Sequence, residues 1–233
     1  MIDLPSKIGW RRRDEDGMIV TWDLPNGAEH VPMLATELRE GLDRVEQQWG
    51  ELCRDVAIRH EIPEGWLQSM IWRESGGNPK ALRHETDKEG KQIVVKGRPL
   101  TGVGLMQITS NALKKAWTDA ELMGPKLNVE IGATYVANLA SRVETQGADG
   151  KPDFARIAAA FNAGSVRPST MNEWGMVMTR GHVSAEVAAY NYWLSTRMAE
   201  EQKVAALAMT KQFTLFELIP TEGPIASEPE KDA

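Results

Sequence analysis

The sequence predicts a mainly α-helical domain of α+β type, interrupted by a small β-hairpin insertion. Three observations carry that expectation. Leu34, Leu38, Leu42, Val45, Trp49, Leu52 and Val56 recur every three or four residues, the apolar stripe of a long helix. The same period returns in shorter segments further along. Between Arg83 and Thr101 it disappears, and the β-branched run Gln92-Ile93-Val94-Val95-Lys96 follows an Asp87-Lys88-Glu89-Gly90 turn.

In chain order, Met18-Ile19-Val20-Thr21-Trp22 has β character, with Gly17 before it and Pro25-Asn26-Gly27 after, so 1–33 is expected to form a short hairpin or extended arm. The Arg11-Arg12-Arg13 triplet is offset at once by Asp14-Glu15-Asp16 and reads as a solvated turn. The long helix ends near Ile62-Pro63. Pro63 suits the first turn of a second helix, which carries Trp66, Leu67, Met70 and Ile71, runs to Glu74 and stops at Gly76-Gly77. After the insertion at 84–101, helices are expected at Ser110–Leu122, Val129–Glu144 and Asp153–Phe161. A last helix is expected from an N-cap at Ser184 to Lys211. The helical domain is thus placed at 34–212, and the Pro/Gly/Ser/Glu-rich tail, 213–233, is expected to be disordered.

Composition narrows the function. The 233 residues are enough to bury a core, and 27 Lys+Arg against 33 Asp+Glu leave a net charge of −6. That balance argues against nucleic acid or an anionic membrane as a partner held by bulk charge. The single cysteine, Cys53, allows no intrachain disulfide and no cysteine metal cluster, and its neighbours make it a buried small hydrophobe. No apolar run approaches the ~20 residues of a membrane span, and Met1–Gly17 lacks the apolar core of a secretory signal. His60, His84 and His182 show no ligand spacing, so neither metal nor cofactor is expected.

Glu74 is the first candidate for chemistry. At the carboxyl end of an apolar helix the helix dipole disfavours a negative charge, and a flank turned inward beside Met70 and Ile71 adds desolvation. Both favour a proton-bearing carboxyl, as general acid catalysis needs. A solvated helix end is the plainer reading. Gly102-Val103-Gly104-Leu105-Met106-Gln107 is a glycine-punctuated loop whose Gln107 amide suits sugar hydroxyls and N-acetyl groups, although Leu105 and Met106 equally suit a core. Ala159-Ala160-Phe161-Asn162-Ala163-Gly164 ends a small-residue helix with Asn162 as a polar tip or as a simple C-cap.

Together these stretches resemble the soluble lytic transglycosylase (SLT) domain, glycoside hydrolase family 23, with its goose-type-lysozyme-like fold. The resemblance rests on Glu74-Ser75 with Pro79 and Ala81, Gly104-Leu105-Met106-Gln107, Ala160-Phe161-Asn162-Ala163-Gly164, and the Glu186/Tyr190 pair spaced four apart on the last helix; it covers about 45–198. It implies cleavage of the β-1,4 bond between N-acetylmuramic acid (MurNAc) and N-acetylglucosamine (GlcNAc) in peptidoglycan glycan strands, with the insertion beside the cleft. Glu74 would be the catalytic acid and base and Tyr190 would orient it. Gly104, Leu105, Met106, Gln107, Phe161 and Asn162 would line the sugar groove, and Ser75 would support the turn. It also implies action on the extracellular or periplasmic wall. With no signal-like segment, that points to a phage lysin or virion component, or to a secretion apparatus, with virion or secretion proteins meeting the terminal segments. A catalytically silent glycan-binding module is a different outcome.

Departures from the family pattern are informative. Arg83 stands where a Ser is usual, and Phe161 where Tyr is commoner. The insertion's Glu85, Asp87 and Glu89 could supply a second carboxylate, giving lysozyme-like hydrolysis instead, although Thr109 occupies a position where goose-type lysozymes tend to carry an aspartate. Eight Trp against three Tyr and four Phe suit sugar stacking. Trp117 and Trp174 are candidates for outer subsites, while Trp49, Trp66 and Trp72 fall at core positions.

Overall fold

The computed structural model describes residues 8–13, 17–24, 27–87, 89–95, 97–109, 117–164, 166, 181–197 and 199–200, with side chains from Leu38 on apart from Arg98. The chain divides into two compact units, 1–194 and 195–233; the core and the candidate site lie in the first.

The amino-terminal region is more regular than expected. Strands β1 (Ile8–Arg13), β2 (Gly17–Leu24) and β3 (Gly27–Leu34) form an antiparallel sheet in that order, paired from Ile8↔Trp22 to Arg13↔Gly17 and from Gly17↔Leu34 to Leu24↔Gly27. The arginine triplet, read as a turn, is therefore strand. Its charge-rich composition masks a β segment that pairing with the Ile19–Trp22 run supports. β3 runs directly into the long helix α1 (Ala35–Arg59).

The stripe on α1 behaves as the period requires: Leu38, Leu42, Val45, Cys53 and Val56 are buried. Burial and the Glu46 carboxylate push the Cys53 thiol up to about 12, so it stays a neutral hydrophobe. Helix α2 (Trp66–Ser75) starts three residues past Pro63, which sits in the connecting turn, its carbonyl accepting from the Trp66 N–H. Trp66, Leu67, Met70 and Ile71 pack α2 into the core, and Gly76 ends it in the left-handed conformation (φ 61°) that a glycine adopts without penalty. The indole of Trp49 on α1 donates to the Gly77 carbonyl at 2.9 Å, tying the end of α2 to α1.

The insertion forms as antiparallel hairpins. β4 (Leu82–His84), β7 (Thr101–Val103) and β8 (Ile108–Thr109) make one small sheet, and β5 (Val94–Val95) pairs with β6 (Arg98–Pro99) beyond a Thr86↔Gln92 bridge. Of the helix expected over Ser110–Leu122, 110–116 fall outside the described residues, and α3 covers Asp119–Leu122 behind a Thr118/Glu121 capping box. Helix α4 (Pro125–Ala140) begins and ends four residues earlier than its period suggests, started by Pro125 at its first turn and followed by a 3₁₀ turn at Val143–Thr145. His60 and Arg59 clamp α1 to α4 through Glu130, whose carboxylate these hydrogen bonds hold below the usual range. Helix α5 (Phe154–Ala163) is capped by Asp153 and closed by Gly164. The last helix, α6, is described over 181–197. It is already helical at 181, so Ser184 lies inside the helix as a buried residue and is not its cap. Its expected end at Lys211 and the tail 213–233 lie outside the described residues.

Candidate functional site

Three helices meet at the end of α2. Glu74 sits one residue before α2 stops, and its side chain is only 2% exposed although the chain turns to the surface immediately after it. Ser75 holds that turn: its Oγ donates back to the Ile71 carbonyl and accepts from the Gly77 N–H, as its place in the pattern suggested. From α6, His182 places Nε2 3.3 Å from Glu74 Oε1 and 2.9 Å from Glu186 Oε1, one helical turn on. From α5, the Asn162 amide lies 3.4 Å from His182 Nδ1. From β4, the half-exposed Arg83 brings Nη1 to 3.8 Å from Glu74 Oε2.

The electrostatics of this corner follow from burial against charge. Burial alone would lower the pKa of His182, but the charge and hydrogen bond of Glu186, then those of Glu74, outweigh it and hold the imidazole up to about 9. Glu186 is fully buried, and burial raises its pKa against the pull of His182. One carboxylate oxygen on each of Glu74 and Glu186 is buried without a hydrogen-bond partner. Among the described residues, these three side chains also form the one group whose donor atoms, all within 4.8 Å of one another, have the types a metal ion takes. Here one Nε2 already lies within 3.3 Å of an oxygen of each carboxyl group, so we read the group as an acid–base network.

The second stretch is built differently. The Leu105 and Met106 side chains are fully buried in the core. Met106 packs so closely on α4 that a Cβ at Gly132 would come within 2.2 Å of its sulfur. Asn128 on α4 clamps the loop: its Oδ1 accepts from the Met106 N–H, and its Nδ2 donates to the carbonyls of Val103 and Leu122, all at 2.7–2.8 Å. Gly104 has φ 77°, and a Cβ there would lie 2.4 Å from the Asn128 amide. Gln107, itself at φ 48°, spends its Nε2 on the carbonyls of Ala81 and Gly104. The loop is thus a brace joining β7 and β8 to α4, with the Leu105 and Met106 side chains turned into the core.

The other candidates disperse. Tyr190 is half-buried and packs on Trp66 (6.3 Å between rings, edge-on) and Phe154 (5.0 Å), knitting α6 to α2 and α5; burial raises its pKa, the Trp66 indole working the other way. The group that reaches Glu74 from α6 is His182. Phe161 packs on Tyr135 at 5.4 Å. Asp87 caps the hairpin turn, its Oδ1 accepting from the N–H groups of Glu89 and Lys91. Glu85 accepts from Arg83 at 3.2 Å. Trp117 is partly buried against the core, and Trp174 lies outside the described residues. Metal-ligand spacing gives His182 no role in the sequence. The signal available was its i,i+4 spacing to Glu186, which continues to Tyr190 along one face of α6.

The helical core with its small sheet thus carries, at the end of one helix, a buried carboxyl backed by an imidazole. The chain belongs to the transglycosylase SLT domain family: the family model matches residues 51–174, more than half of its length. Among solved structures it is similar to the 70 kDa soluble lytic transglycosylase of Escherichia coli, with 19% identity, a TM-score of 0.47, and coverage of 66% of this chain and 26% of that one. An inactive mutant of lytic transglycosylase Slt from Pseudomonas aeruginosa gives 16% identity, a TM-score of 0.46, and coverage of 66% and 25%. A complex of the 70 kDa enzyme with bulgecin A gives 18%, 0.48, and 67% and 26%. The chain therefore spans about a quarter of the length of these proteins. A comparison with curated protein sequences finds no match.

Proposed function

We propose that this chain is a peptidoglycan lytic transglycosylase in which Glu74 serves in turn as general acid and general base. The observation that carries the reading is the placement of Glu74: a side chain 2% exposed, at a helix end, in contact with His182, within a chain that belongs to the SLT family. The Glu74 carboxyl gives its proton to the oxygen of the β-1,4 MurNAc–GlcNAc bond as that bond breaks. The positive charge at C1 is relieved by the N-acetyl group of the same sugar. The Glu74 carboxylate then takes the proton of the muramic C6 hydroxyl, whose oxygen closes on C1 and leaves a 1,6-anhydro end. One carboxyl completes the cycle with no net proton change.

Hydrolysis by a second carboxylate draws less support. Asp87 is engaged in the hairpin turn, Glu85 is held by Arg83, and Glu186 is fully buried behind His182. Arg83, where the family has Ser, adds a cation facing the Glu74 carboxylate. Asn162 is retained in this reading as a cleft residue that also meets His182, and Tyr190 as the packing residue that sets the angle of α6 against α2.

Digestion of purified peptidoglycan followed by mass spectrometry of the muropeptides tests the proposal. Fragments ending in 1,6-anhydroMurNAc are expected. Reducing ends alone would establish hydrolysis, and no product from folded protein would leave a silent glycan-binding module.

A further inference from the structure

The reaction proposed above uses one of three buried ionisable groups in mutual contact. Two carboxyl side chains, 2% and 0% exposed, meet a single imidazole, and each keeps one buried oxygen without a hydrogen-bond partner. Two carboxylates in such a place are costly unless a neighbouring charge or a retained proton compensates them. Every element packed around His182 contributes to that balance. Its own helix supplies Glu186, and α2 supplies Glu74, with Arg73 acting on Glu186 at longer range. β4 supplies Arg83, facing Glu74, and α5 the neutral amide of Asn162.

We propose that His182 is a positioning residue for the reaction: its imidazole fixes the Glu74 carboxyl and answers the charge that Glu74 gains on giving up its proton. The inference rests on the assignment of Glu74 as acid and base. The two distances from Nε2 describe the resting state. The shorter, 2.9 Å, pairs the imidazole with Glu186, and the longer, 3.3 Å, makes Glu74 the more loosely held of its two partners. When that proton passes to the leaving oxygen, the new carboxylate already faces the Nε2–H, which it shares with Glu186. When the C6 hydroxyl returns a proton to Glu74, the original pairing is restored. The imidazole gains and loses no proton, and no co-reactant is needed. This places positive charge where negative charge develops, without reorganisation at the moment of reaction.

The test compares His182→Gln and Glu186→Gln with wild type for kcat, KM and the pH dependence of kcat/KM on purified peptidoglycan. The titration of the His182 side chain is followed in parallel by NMR, its signal assigned on wild type by triple-resonance experiments. In His182→Gln, kcat is expected to fall about 10²-fold with KM changed less than about twofold. The alkaline limb of the profile should move in opposite directions in the two variants. Losing the positive His182 makes the catalytic proton harder to remove and shifts the limb up. Losing the negative Glu186 makes it easier to remove and shifts the limb down. A structural imidazole would change the amount of folded enzyme but move neither limb. If His182→Gln does not fold, wild type and Glu186→Gln still decide: the imidazole should titrate near pH 9 in wild type and lower in the variant. An active wild type with unmoved limbs, or with His182 titrating at its ordinary value, overturns this inference alone. A wild type that releases no muropeptide overturns the lytic reading, and this inference with it.

Discussion

Two short stretches that look equally functional in the sequence, Glu74-Ser75 and Gly104-Leu105-Met106-Gln107, do opposite kinds of work. The first ends a helix and collects ionisable side chains from α2, α6 and β4 around one carboxyl. The second collects backbone hydrogen bonds and close packing: Asn128 clamps it, Met106 fills the space over Gly132, and Gln107 turns its amide nitrogen back on the loop. One corner stores charge in a buried place. The other stores geometry. A pattern of residue types marks both without saying which is which, because a glycine-rich loop is suited to close approach by a ligand and by a neighbouring helix alike.

The difference can be broken from either side. Glu74→Gln should reduce muropeptide release about 10³-fold or more while leaving the thermal midpoint near that of wild type, measured by circular dichroism on the same sample. Asn128→Ala should do the reverse, costing about 3 kcal/mol in denaturant unfolding because three buried backbone groups lose their partner at once. Gly104→Ala follows at about 2 kcal/mol, since φ 77° and a contact of 2.4 Å both penalise a Cβ. If Asn128→Ala left stability intact while abolishing activity, the loop would be part of the groove after all.

A pH series sharpens the charged side of the comparison. The pKa of His182 rises from an ordinary 6.5 to about 9 on folding, so its contribution to stability is fully present below about pH 6.5 and is lost as pH climbs through about 9. Thermal midpoints taken across that window should decline in wild type and decline less in His182→Gln. The smallest effect belongs to Asp87→Asn: the amide oxygen can still accept the turn's two N–H groups, so stability should change by less than about 0.5 kcal/mol and muropeptide release should be unaffected. A loss of 10²-fold or more there would restore Asp87 as a second catalytic carboxylate.

What was legible in the sequence tracks where one physical rule dominates. The stripe from Leu38 to Val56 and the Gly76-Gly77 stop needed only helical period and backbone freedom, and both were read correctly. The β insertion was legible from its loss of period. The strand at Ile8–Arg13 was not, because arginines say little about pairing and the partner run supplies the β character. The start of α6 was displaced because Ser184 has the chemistry of a cap, while its burial among packed helices overrides that preference. For His182 the only local mark is its i,i+4 spacing to Glu186; its contact with Glu74 comes from another helix, and a contact so distant in sequence leaves no trace there.

The central claim is that one buried carboxyl performs both proton transfers and that no water attacks the sugar. Digesting peptidoglycan in water enriched in ¹⁸O, with mass spectrometry of the products, addresses it directly. The account predicts anhydro-ended muropeptides with no ¹⁸O at the cleaved C1. Label at that carbon in the primary products would show that water is the nucleophile and would contradict it.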